Sequence, residues 1–191
     1  MRHYIVFILL IFSASHLPAQ QEGQQTQKLR YFNHTQVSFL IGEESEDQTR
    51  KSMIRSFQTV NGIRIGKHFG AGIGIGAEPF EYIAFPVFLS GYYFINNDKK
   101  ASPYFVGKVG YAFSNSNKNL GYYYGNYDNR GGLMVSPEMG VRFKMSGFDW
   151  SLSGGYRFQR LESRIAQAGS LYTYKRQVDY NRISFTVGIM F

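Results

Sequence analysis

The chain has 191 residues, with 21 Lys and Arg against 13 Asp and Glu, a formal charge of +8, and no Cys. Its 17 Phe, 15 Tyr and one Trp stand beside 21 Gly, about 11% glycine where roughly 7% is usual. The length fits one domain, the missing Cys excludes a disulfide scaffold, a zinc ribbon and a thiol enzyme, and 43% hydrophobic residues exclude a disordered chain.

Arg2 and His3 precede an unbroken apolar run, Tyr4 to Phe12, followed by the small, turn-like Ser13 to Ala19 and the polar Gln20, Gln21 and Glu22. This is the layout of a cleaved secretory signal peptide over 1–19. An apolar run of about nine residues at 1.5 Å each falls short of a hydrocarbon core of roughly 30 Å, so it is not a transmembrane helix. Cleavage after Ala19 removes Arg2 and leaves a charge of +7. Residues 20–34 read as a polar tail.

From residue 35 to 191 the chain alternates with period two between turn signals. Weak alternation covers 35–42, 57–66 and 85–94. Residues 70–77 set Ala71, Ile73, Ile75 and Ala77 against Gly72, Gly74 and Gly76. Phe105, Val109, Tyr111 and Phe113 oppose Tyr104, Lys108, Gly110 and Ala112. Val135, Met139, Val141 and Phe143 oppose Ser136, Glu138, Gly140 and Arg142. Phe148, Trp150, Leu152, Tyr156 and Phe158 oppose Asp149, Ser151, Ser153 and Arg157. Finally Ile183, Phe185, Val187, Ile189 and Phe191 oppose Arg182, Ser184, Thr186 and Gly188. Eight strands are predicted. Asn61-Gly62 interrupts strand two, and a bulge there restores its register. Pro86-Val87-Phe88-Leu89 is apolar on both faces and leaves strand four open in register. Pro137 requires a bulge or an unpaired edge.

The connections at 67–69, 95–103 and 145–147 are shorter and turn-like; those at 43–56, 114–132 and 159–181 are long. A transmembrane β-barrel sorts its loops in this way, short on the periplasmic side and long outside. The tail at 20–34 then lies in the periplasm. Arg64, Lys108, Glu138, Arg142, Lys144, Asp149, Arg157 and Arg182 share a face with Gly and Ser, opposite the Phe, Ile and Val rows. A soluble, lipocalin-like barrel would hold a greasy interior and a polar exterior; here the parity is reversed. Aromatics gather toward the strand ends as two girdles. Tyr93, Phe94, Tyr104, Phe105, Phe143, Phe148 and Phe191 mark the inner end. Phe57, Phe80, Tyr82, Phe85, Tyr111, Phe113, Tyr156 and Phe158 mark the outer.

Ala19-Gln20-Gln21, Gly72-x-Gly74-x-Gly76 after a short turn, Pro86-Val87-Phe88-Leu89 and the terminal Phe191 together resemble small outer-membrane β-barrels of Gram-negative bacteria. The group includes OmpX-like and OmpA-type barrels, and the likeness is strongest to the "porin family" or PorT-like barrels of Bacteroidota. The resemblance spans 35–191 and implies an eight-stranded antiparallel up-and-down barrel in the outer membrane. It implies that Ile189 and Phe191 belong to a signal read by the outer-membrane assembly machinery. It also admits an accessory role in an envelope secretion machine of the type IX kind.

No catalytic constellation is read from the sequence. The mature histidines are His34, ahead of strand one, and His68, in a periplasmic turn; both are expected to be interfacial or solvated, and neither is placed for a lipid-modifying Ser–His pair. The acidic run Glu43, Glu44, Glu46 and Asp47 reads as a solvated charge run, and Gly70 to Gly76 as small lumen residues rather than a phosphate loop. Eight strands leave an interior just wide enough for side chains. Arg64, Lys108, Glu138, Arg142, Asp149 and Arg157 are therefore expected to form a charge network that plugs it, Glu138 and Asp149 pairing with basic residues across strands. Tyr122, Tyr123, Tyr124 and Tyr127 crowd an outer loop suited to surface contacts, or to a β-ribbon prolonging strands five and six. Arg160, Arg164, Lys175 and Arg176 in the last loop suit lipopolysaccharide phosphates. The expectation is a monomeric, non-enzymatic barrel without cofactor, metal or nucleic-acid partner. Its partners are outer-membrane lipid, the assembly machinery, and an envelope protein or surface ligand.

Overall fold

The computed structural model describes residues 29–191 apart from 45–46, 81–82, 96–98, 115–116, 120–125 and 167–172; the predicted signal peptide lies outside the described residues. The strands are β1 (Leu29–Glu44), β2 (Asp47–Ile65), β3 (Phe69–Pro79), β4 (Ile83–Phe94), β5 (Ala101–Ser114), β6 (Asn117–Asn119), β7 (Asn126–Lys144), β8 (Asp149–Ala166) and β9 (Thr173–Met190). All pairings are antiparallel, and β1 pairs with β9, so the sheet closes without an edge. The short β6 carries the β5 pairing further along β7. Eight strands therefore make the wall of an up-and-down barrel.

The register fixes the barrel's shape. Partners across the wall run from Tyr31 through Ile63, Ala71, Gly91 and Gly107 to Pro137. The row continues opposite Pro137 at Tyr156, then Ile183, and re-enters β1 at Ile41, ten residues beyond its start. That stagger on eight strands corresponds to a tilt of about 43° and a backbone radius of about 8 Å.

Alternation holds along the wall, but its polarity inverts. Over most of the barrel the outward residues are apolar, among them Ile73, Leu89, Val109, Leu152, Phe185 and Val187, and the inward ones are polar or glycine. Toward the long connections the outward positions become charged, Arg55, Arg160 and Asp179, while Leu40, Ile54, Leu161, Val178 and Tyr180 turn inward and are buried. A wall in hydrocarbon needs its apolar groups outside; a wall in water needs them inside. The inversion marks the level where the barrel leaves the bilayer.

Several elements differ from expectation. Strand one begins at Leu29 rather than 35, so residues 29–34 of the predicted tail belong to the barrel, paired down to Leu29 opposite Ile65. Polar Asn33, Thr35, Thr59 and Asn61 face outward there, which hid the alternation. Strand two needs no bulge: Phe57 to Ile65 pair without interruption, with Asn61 outside and Gly62 inside. Strand four places Pro86, Phe88, Ser90, Tyr92 and Phe94 inward. Much of the predicted long loops is strand, because above the membrane no apolar outer row reveals the period.

Two irregularities have local causes. Pro137 has no N–H for the ladder. The β7–β8 pairing passes over Ser136 and Pro137 without losing register, and Ser136 Oγ donates to the carbonyl of Tyr156 at 3.1 Å. At Gly131 the register shifts by one residue; its φ is +79°, and an added Cβ would lie 1.7 Å from the Ala112 carbonyl. Only glycine combines that φ with that approach.

Candidate functional site

The lumen is the densest polar site and is built from inward positions of every wall strand. At its centre Lys108 of β5 meets Glu138 of β7 at 2.6 Å, both buried. Ser136 and Ser153 hydroxyls donate to Glu138 at 3.2 and 3.1 Å. Lys108 also donates to Gln58 Oε1 at 3.3 Å, which accepts from Gln36 at 2.8 Å. Gln58 in turn donates to Ser56 and Glu78, both at 3.0 Å. Glu78 receives two bonds from Arg157 Nη2, at 2.5 and 2.7 Å, and one from Ser56 at 2.7 Å. One connected network thus ties β1, β2, β3, β5, β7 and β8 across the interior. A charge-assisted, hydrogen-bonded network is the form in which buried ions are tolerated.

The remaining cations stack on rings. Near the short turns Arg142 approaches Asp149 at 3.5 Å and lies 5.0 Å over Phe94. Arg64 sits 4.6 Å over the same ring and donates to Met190 Sδ at 2.9 Å. At the other end Arg182 lies 5.2 Å over Tyr180 and 5.8 Å over Phe80. An arginine plane on a ring face gains cation–π attraction. The rings are housed by glycines. An added Cβ at Gly74 would lie 2.3 Å from the Phe88 ring, and one at Gly62 would lie 2.7 Å from Phe32.

The structure brings Lys108 to Glu138 and Arg142 to Asp149, and places Arg157 and Arg64 inward with them. Sequence reading missed Glu78, left in a connection although it continues the inward parity of Gly72, Gly74 and Gly76. His34 is also corrected. It is not solvated but buried at 0% exposure, with Nε2 2.8 Å from Ser151 Oγ and Nδ1 3.1 Å from Tyr92 OH. It lies on the inward parity of Gln36 and Ser38. Phe94 and Tyr104 are likewise lumen residues, not girdle residues, and Phe80 packs on the inward Tyr180. His68 is in a turn, its Nδ1 2.8 Å from the Phe94 carbonyl. Ile189 faces out in the last strand and Phe191 follows it. Tyr122, Tyr123, Tyr124 and Tyr82 lie outside the described residues. Tyr127 pairs with Lys118 in the ribbon that prolongs β5 and β7. Glu46 lies outside the described residues, as do the side chains of Glu43, Glu44 and Asp47.

Above the membrane the outward Arg160 donates to both oxygens of Asp179, at 2.8 and 2.9 Å, and holds that carboxyl below the usual carboxylate range. Lys175 meets Glu162 at 2.9 Å. Among the described residues no three His, Asp or Glu side chains converge as a metal site.

No protein-family profile matches the sequence, and no curated protein is similar to it. Solved structures are similar in fold. Neisserial surface protein A gives a TM-score of 0.54 at 10% identity over 86% of this chain and 97% of that one. OprG of Pseudomonas aeruginosa gives 0.56 at 10% identity over 84% and 94%. The outer membrane protein AlkL, solved in lipid bilayers, gives 0.52 at 11% identity over 93% and 95%. The chain has the eight-stranded barrel fold of small outer-membrane proteins.

Proposed function

We propose that the protein is an outer-membrane barrel with a closed lumen that acts through its outer ribbons and loops, contacting lipopolysaccharide, an envelope protein or a surface ligand. The observation that carries this reading is the filled interior. Arg142, Arg157, Arg182, Lys108, Tyr104, Phe32, Phe88 and Phe94 are all buried in the lumen. At this radius they leave no continuous water path. The Ser151–His34 contact is sealed in the same interior, where no lipid substrate can reach it, so the reading is non-enzymatic.

Planar-bilayer recording tests the closed lumen. The refolded protein is expected to insert without steady unitary conductance, whereas Lys108→Ala/Glu138→Ala/Arg157→Ala, which empties the network, is expected to conduct. Steady openings of the unmodified protein overturn the closed-lumen reading. Fractionation of the native host tests location, and recovery of the mature chain outside the outer-membrane fraction overturns that part.

A further inference from the structure

The outer wall carries a polar island at membrane depth. Asn33 and Thr35 of β1 and Thr59 and Asn61 of β2 all point outward, joined by hydrogen bonds. Asn33 Nδ2 donates to Thr59 Oγ1 at 3.2 Å and to Asn61 Oδ1 at 3.0 Å. Thr35 Oγ1 donates to Asn33 Oδ1 at 3.0 Å and lies 3.1 Å from Thr59 Oγ1. Tyr31 OH donates to Asn61 Oδ1 at 2.5 Å. Asn61 is exposed, and its own amide donors find no partner among the described residues.

The depth follows from the adjacent strands. Asn61 is flanked on β3 by Ile73, 60% exposed on the outer face, and Thr59 by Ile75, 56% exposed. Thr35 is opposite Ile189 on β9. These apolar neighbours meet acyl chains, which offer Asn61 no acceptor, and a polar group left so in hydrocarbon is strongly disfavoured.

We infer that this island is a contact between two copies of the chain in the membrane plane. Each of the four side chains both donates and accepts, so the patch complements itself across a two-fold axis along the membrane normal. The free Asn61 donors then meet hydroxyl or amide oxygens of the second copy. Ala71 and Gly91 face outward beside it, and nothing lies within 4 Å of a Cβ built on Gly91, so a second wall can come close. Small residues with polar side chains as the adhesive are the usual means of association where lipid removes the hydrophobic drive. The inference replaces the monomer expected from sequence and rests on the barrel being membrane-embedded.

The absence of Cys makes the test direct. Ala71→Cys, beside the island and outside its hydrogen bonds, and, on another face of the wall, Leu152→Cys are refolded into lipid vesicles and oxidised. Heat-shifted gel mobility first shows that each is an inserted barrel; failure of that shift in the unmodified protein is failure of membrane embedding, not of the contact. Ala71→Cys is expected to give a disulfide dimer and Leu152→Cys to remain single. Independently, Asn33→Leu/Asn61→Leu and the milder Thr35→Val/Thr59→Val are expected to weaken dimerisation by about tenfold or more in dilution energy transfer. Equal cross-linking at the two positions, an unmodified protein that stays monomeric at all dilutions, or cross-linking of Ala71→Cys in cells only to a different protein overturns it.

Discussion

Glu138 shows how one carboxylate keeps several groups in place. It faces Lys108 at 2.6 Å and receives Ser136 and Ser153, in an interior where an unpaired charge is costly. Glu138→Ala strands the ammonium and is expected to destabilise the barrel by about 3–5 kcal/mol. Lys108→Met/Glu138→Leu, which removes both charges at similar volume, is expected to recover most of that loss. Trp150, the chain's single Trp, lies on the outer face. Its emission during urea unfolding in vesicles reads the midpoint; a single variant as stable as the parent would show that the pair contributes little. Gly74 is the steric counterpart. Gly74→Val drives a side chain into the Phe88 ring at 2.3 Å from its first carbon, an overpacking expected to cost about 1–3 kcal/mol or more. Phe88→Leu in the same chain is expected to relieve part of it. If Gly74→Val unfolds at the parental urea concentration, the lumen is looser than the ring packing implies.

Along β7 and β8 the ladder lapses at Gly132 and Leu133, beside the shift at Gly131, and again at Ser136 and Pro137, where the proline has no N–H to give. Pro137→Val supplies an N–H opposite the Tyr156 carbonyl, now served by Ser136 Oγ at 3.1 Å. A gained backbone bond is worth about 0.5–1.5 kcal/mol. The expected result is a higher urea midpoint and slower amide exchange around Gly155 and Arg157; unchanged exchange would mean the ladder is open there for another reason. The sequence was legible wherever a strand met lipid on one side and the lumen on the other, as in β9, whose Phe185 and Val187 alternate with Ser184 and Thr186. It was illegible where that contrast fails. Outward Asn33 and Asn61 blurred β1 and β2, inward Phe88 blurred β4, and charged outward positions above the bilayer made ribbons look like loops. For the site, parity alone placed Lys108, Glu138, Arg142 and Arg157 inward. Glu78 was missed because strand three was ended early and His34 because strand one was begun late, not because their parity was ambiguous.

The molecule as a whole is divided by the level at which its polarity inverts. Below it, Phe185 and Val187 face out and Ser184 and Thr186 face in; above it, Arg160 and Asp179 face out and Leu161 and Val178 face in. A single closed sheet thus satisfies two solvents by exchanging the roles of its faces, and the bilayer boundary must fall between Ile183 and Asp179 on β9. Single cysteines in this Cys-free chain test that placement. In intact cells, a charged, membrane-impermeant maleimide is expected to label Arg160→Cys and to leave Val187→Cys unlabelled. Met145→Cys, in the turn after β7, is expected to react only once the outer membrane is permeabilised, because the short turns lie on the far side. Labelling of Val187→Cys would mean that its face is wet and the barrel soluble. Labelling of Met145→Cys in intact cells, with Arg160→Cys protected, would reverse the orientation while keeping the barrel. Arg160→Cys also breaks the Asp179 pair; because that pair lies on the outer surface, partly exposed, and such pairs contribute little to stability, the label can be read without a loss of folding.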